Sequence, residues 1–126
     1  MAERLEAKHK GGTLVARKIE LADNDDAMEL CFERGWTDGL PVTPPTDERV
    51  LRMLAGTQRR ADEIVGQIPP YLAACTVEKV AINAVLAGCK PEYMPVLLAA
   101  LEAALEPVFT LHGVLATTYF SSPLII

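Results

Sequence analysis

With 126 residues, half of them hydrophobic, the chain is long enough to bury one real core and too apolar to be disordered. A formal net charge of −5 and a pI near 5.0 argue against nucleic acid as a partner, because phosphate binding needs clustered Lys and Arg and the only dense basic group is Arg59-Arg60. No apolar run approaches the roughly 20 residues that span a bilayer, and the charged start Met1-Ala2-Glu3-Arg4-Leu5-Glu6 lacks the apolar core of a signal peptide, so no membrane association and a cytoplasmic location are expected.

Residues 1–12 are polar and end in Gly11-Gly12, which reads as a flexible tail ahead of one α/β domain over 13–126. Residues 13–19 alternate at Val15, Arg17 and Ile19 and read as a strand. Asp23-Asn24-Asp25-Asp26 opens a helix, since acids in a first turn favour the positive end of its dipole; Met28, Cys31 and Phe32 make the apolar stripe and Gly35 the stop. An EF-hand reading of these acids fails for want of the turn Gly and the distal Glu.

Trp36-Thr37-Asp38-Gly39-Leu40-Pro41-Val42-Thr43-Pro44-Pro45-Thr46 is the densest special stretch. Asp38-Gly39 is a turn signal, residues 40–43 read as a short edge strand, and Pro44-Pro45 is stiff. Thr46 then caps a helix over 47–54, with Val50, Leu51 and Leu54 inward and Gly56 as its stop. A rigid loop ending at a helix N-terminus suits a ligand, whereas a core-anchoring Trp36 with prolines that only stiffen a connection is the structural alternative.

Residues 64–68 read as a strand ended by Pro69-Pro70. The clearest helix follows over 76–89, capped by Thr76 and ended by Gly88 and Pro91. Val77, Val80, Ala81, Ala84 and Val85 share one face, and Ile82 and Leu86 lie among Glu78, Lys79 and Asn83 on the other. A helix apolar nearly all round is expected to be buried, and its polar trio then needs partners or a task. After the corner Lys90-Pro91-Glu92-Tyr93, Pro95 starts a helix with Met94, Leu97, Leu98, Leu101 and Leu105 on one stripe, closed by Pro107. Residues 108–111 and 114–119 read as strands around a His112-Gly113 turn, and 124–126 as the start of a last strand that pairs with another chain or continues in a longer one.

No pair among His9, His112, Cys31, Cys75 and Cys89 has the close spacing of a zinc site, so no metal is expected and no cofactor is named by the sequence. The three cysteines fit reduced thiols in the cytoplasm. Cys75 precedes the helix over 76–89, where the dipole would lower its pKa, although the three cysteines read first as small buried hydrophobes. Lys79 and Asn83, at i and i+4, lie side by side, with Glu78 adjacent and Glu92 returning from the corner. A Lys in a dry setting can serve as base or oxyanion partner; the alternative is a salt-bridge set that docks the helix.

The segments 35–46, 76–93 and 111–118, quoted in part above, resemble a bacterial family of unsettled function associated with UGSC-motif (seleno)proteins, in which a thiol or selenol is reactive. The likeness runs from about Asp25 onward and the chain looks like the family's N-terminal part. Family members continue past the equivalent of Ile126 into a Val-Asn-Gly-Pro segment, and they carry a small residue where Cys75 stands, which turns attention from that thiol. Trp36, Asp38, Glu78, Lys79, Asn83, Cys89 and Glu92 match the pattern and gain weight as site residues.

The expectation is an α/β fold of short strands and about four helices, incomplete without a partner chain or C-terminal part. The chain would be a part or subunit of a bacterial enzyme of small-molecule metabolism. Lys79, Asn83, Glu78 and Asp38 would be catalytic, and Trp36, Thr46, Glu92 and Cys89 would bind substrate, with thiol-linked redox or lyase-type chemistry left open. The alternative is a non-catalytic assembly subunit docking through the 76–89 helix and the C-terminal strand, as a homo-oligomer or with a second polypeptide.

Overall fold

The computed structural model describes residues 14–22 and 26–125. The tail over 1–12, Thr13, residues 23–25 and Ile126 lie outside them. Helix α1 (Ala27–Glu33) is capped by Asp26, whose carboxylate accepts the Met28 N–H at 2.8 Å. Helix α2 (Asp47–Leu54) starts after Thr46 as expected, but the Thr46 hydroxyl makes no capping bond. Strands β1 (Ile64–Ile68) and β2 (Ala73–Thr76) pair antiparallel, Gly66 facing Cys75 and Ile68 facing Ala73, with a register shift between Ile64 and Gly66.

Strand β2 passes directly into helix α3 (Val77–Leu86). Its free first-turn N–H groups are satisfied from two sides. The Thr76 hydroxyl accepts from Lys79 at 3.3 Å, while Val77 and Glu78 donate to the carbonyls of Glu63 and Ala61 at 3.0 and 2.9 Å. The other end closes as a Schellman motif: Gly88 takes φ +72°, its N–H donates to Val85, and the Cys89 N–H donates to Ala84. A 3₁₀ turn (Pro91–Tyr93) leads into helix α4 (Met94–Leu105), and a second (Pro107–Phe109) precedes helix α5 (Leu111–Ala116).

The core sits where α2, α3 and α4 meet. Val50, Met53 and Leu54 of α2 pack with Val77, Ala81, Ala84 and Val85 of α3, Met94 and Leu98 of α4, and Ala61. Gly56 permits this closeness, since a Cβ there would stand 1.8 Å from the Pro91 carbonyl oxygen. Arg59 ties the loop before β1 to α4 through Glu63 at 2.9 Å and Glu102 at 2.5 Å, and Arg60 grips Asp62 with two bonds, so both members of the basic pair are spent locally.

The fold is mixed α/β as expected, with five helices and a two-stranded sheet among the described residues, so that several of the expected strands are missing. Residues 14–19 and 40–43 form no strand; instead Thr43 donates to the Leu86 carbonyl at 3.2 Å. In the region expected as strands over 108–119, residues 107–109 form a 3₁₀ turn and 111–116 form α5, which starts after Thr110 at a left-handed φ of 54°, and 117–119 belong to no strand. Short apolar runs of this length fit either period, and a strand needs a neighbour's edge to hold it. Residues 124–125 likewise belong to no strand. Strand β2 was not expected, since Ala73-Ala74-Cys75 has little β propensity and the diproline reads as a stop; Pro69-Pro70 instead lies in a connection that returns the chain antiparallel. Helix α3 is not buried all round: Glu78 is, whereas Lys79 and Asn83 are exposed and Ile82 and Leu86 half-buried.

Candidate functional site

A cleft of ≈ 610 Å³ lies between three walls. The segment 14–21 forms one, the α1 residues Ala27, Leu30 and Cys31 with Trp36 a second, and Pro44 to Val50 with the Glu78, Ile82, Asn83 and Leu86 side of α3 the third. Its size falls in the range of small-molecule sites, and its surface is mostly apolar with a few polar groups, the usual make-up of such sites.

Local sequence explains the placement. Gly35 takes φ +67° where α1 ends, and the Trp36 backbone N–H donates to the Cys31 carbonyl at 2.9 Å, so Trp36 stays beside α1 and lines the cleft with Ala27, Leu30 and Cys31. Thr37 and Asp38 shape the following turn: the Thr37 hydroxyl donates to the Leu40 carbonyl at 2.7 Å, and the Asp38 carboxylate accepts the Leu40 N–H at 3.3 Å. Arg49 donates to the Pro44 carbonyl at 2.8 Å and holds the diproline against α2.

Four of the expected site residues, Trp36, Thr46, Glu78 and Asn83, line this cleft together. The other four do not. Asp38 is exposed in its turn, Lys79 points along the sheet and donates its ammonium to the Ala74 carbonyl at 2.6 Å, Glu92 is exposed on the 3₁₀ turn, and Cys89 is half-buried against the core.

The polar trio of α3 thus divides. Glu78 is only 1% exposed, and its carboxylate accepts the Val15 N–H at 3.1 and 3.2 Å and the Ala16 N–H at 3.0 Å. A carboxylate in a first helical turn also benefits from the dipole. Asn83 donates its amide to the Lys79 carbonyl at 2.9 Å, one turn back, which leaves its side-chain oxygen for a ligand. The cleft also carries Arg17 and Glu20, neither of which the sequence marked as a site residue. Long-range contacts of this segment, the amides of Val15 and Ala16 on Glu78 and Lys18 on Asp47, bring them here, and no local pattern encodes those.

Burial pushes the Cys75 thiol up from its ordinary value and Lys79 pulls it down by less, the reverse of the lowering expected from its place before the helix. Among the described residues no group of three or more His, Cys, Asp or Glu side chains is arranged to hold a metal ion, and no single helix is long and apolar enough to cross a membrane. No protein-family model, curated protein or solved structure matches the chain.

Proposed function

We propose that the chain is a part or subunit of a bacterial cytoplasmic enzyme of small-molecule metabolism, with its ligand site in the cleft between Trp36, Thr46 and Asn83. The observation that carries this reading is the convergence of the 36–46 loop and the first three turns of α3 on one mostly apolar cleft of ≈ 610 Å³. Within it, Trp36 and the Pro44-Pro45 pair offer flat apolar contact, and Asn83 and Thr46 supply hydrogen bonds. Glu78 holds a wall through the amides of Val15 and Ala16 rather than moving protons. Lys79 acts outside this lining, beside Ala74.

A fragment screen followed by amide and indole NMR shifts tests the reading. Hits should perturb Trp36, Ile82 and Asn83 together. Shifts scattered over the surface, or confined to α4 and α5, would refute it.

A second reading, an assembly subunit, is favoured by exposed apolar side chains at Val108, Leu115, Tyr119, Phe120 and Leu124. Burying these against a second copy or another polypeptide would remove that surface from water. Size-exclusion with mass analysis decides it: a stable lone monomer excludes assembly, and a defined oligomer or co-purified chain supports it.

A further inference from the structure

Residues 14–21 contain no helix or strand, yet every one of them except Val15 lines the cleft. This segment is held from below. Leu14 packs against the core cluster, Val15 and Ala16 donate their N–H groups to the Glu78 carboxylate at 3.0–3.2 Å, and the Lys18 ammonium pairs with Asp47 at the start of α2. The Val15 side chain points outward and is 73% exposed, so its backbone rather than its side chain makes the attachment.

The acceptor differs in kind from the rest of this contact. Glu78 stands on α3, whose neighbours Val77 and Ala81 are fully buried in the core, so it is fixed in place. It is also itself part of the cleft lining. A carboxylate removed from water needs its donors, and a half-lifted segment would leave it with neither amides nor full hydration. Intermediate positions are penalised, and two are favoured: segment down with the amides on Glu78, or segment away with water on Glu78.

We propose that residues 14–21 are a strap that closes one wall of the cleft, with the Glu78 carboxylate as its latch and the Lys18–Asp47 ion pair as its second clasp. The strap gates the site read above as a ligand site. Its movement is measured without any ligand, so a cleft that binds nothing would sink that reading and leave the strap result standing.

Hydrogen exchange on the whole chain, with acrylamide quenching of Trp36, tests the latch. Trp36 is the only tryptophan and faces the cleft. In Glu78→Gln the Val15 and Ala16 amides should exchange at least tenfold faster and Trp36 should quench more readily, while Ala81 and Val85 keep their protection. Unchanged exchange at Val15 and Ala16 would overturn the proposal. Should Glu78→Gln also lose protection at Ala81 and Val85, Asp47→Asn decides, because it loosens the exposed clasp alone. Exchange at Val15 and Ala16 accelerated threefold or more, with α3 unchanged, supports the strap, and wild-type exchange there refutes it.

Discussion

The Glu78 carboxylate accepts the backbone N–H of Val15 across 63 positions of sequence, at 3.1 Å, with Glu78 almost wholly excluded from water. Hydrogen bonds to a charged group contribute roughly 1.5–3 kcal/mol each way, and stranding the amides of Val15 and Ala16 adds desolvation. Glu78→Ala should therefore destabilise the fold by about 2–3 kcal/mol in urea unfolding. A loss below about 0.5 kcal/mol would mean that water replaces the carboxylate without cost.

Gly56 packs its backbone against the Pro91 carbonyl with no room for a side chain. A Cβ at Gly56 would meet the Pro91 carbonyl oxygen at 1.8 Å and its carbon at 2.6 Å, and neither is the end of a flexible side chain. Gly56→Ala should cost about 1–3 kcal/mol or more by forcing α2 from the 91–93 turn. Gly66→Ala meets only the Leu105 methyl end, at 2.5 Å, and a rotamer change can relieve it. Thermal melts of the two variants should rank Gly56→Ala well below Gly66→Ala.

The position of Cys75 makes a prediction about pH. Burial raises its thiol pKa and Lys79 partly offsets this, so the native state holds the proton more tightly than the unfolded chain does. That contribution to stability is whole below the unfolded thiol pKa and is lost as pH rises through the higher native value. Alkylation by iodoacetamide should accelerate with a midpoint above that of an ordinary thiol, and Lys79→Met should move it higher still. A midpoint below the ordinary value would restore the helix-terminus account.

Four helices, α1 to α4, were legible from the sequence because their signals are local, Asp26 before α1 among them. Thr46 and Thr76 before the apolar periodicity, Gly88 and Pro91 after it, and Pro95 in a first turn each act within a few residues. Of the eight residues that composition marked, Trp36, Thr46, Glu78 and Asn83 line one cleft, while Asp38, Lys79, Cys89 and Glu92 lie outside it. What was not legible depends on distant partners. Residues 14–19 alternate like a strand, but their amides find a carboxylate rather than a neighbouring strand. Residues 111–116 fit either period until Thr110 turns left-handed. Lys79 and Asn83 are neighbours on the helix surface, yet the sheet draws the Lys79 ammonium to Ala74 and out of the cleft.

The cleft between Trp36 and Asn83 is the proposed ligand site. The most direct measurement titrates the tightest fragment found by NMR against wild type, Asn83→Ala and Lys79→Ala, with melting temperatures taken alongside. Asn83→Ala should weaken binding roughly fivefold to tenfold, the equivalent of about 1–1.4 kcal/mol for one lost hydrogen bond. Lys79→Ala, outside the lining, should bind as wild type does, and both variants should melt within a few degrees of it. Unchanged affinity in Asn83→Ala, or an equal loss in Lys79→Ala, would contradict the account.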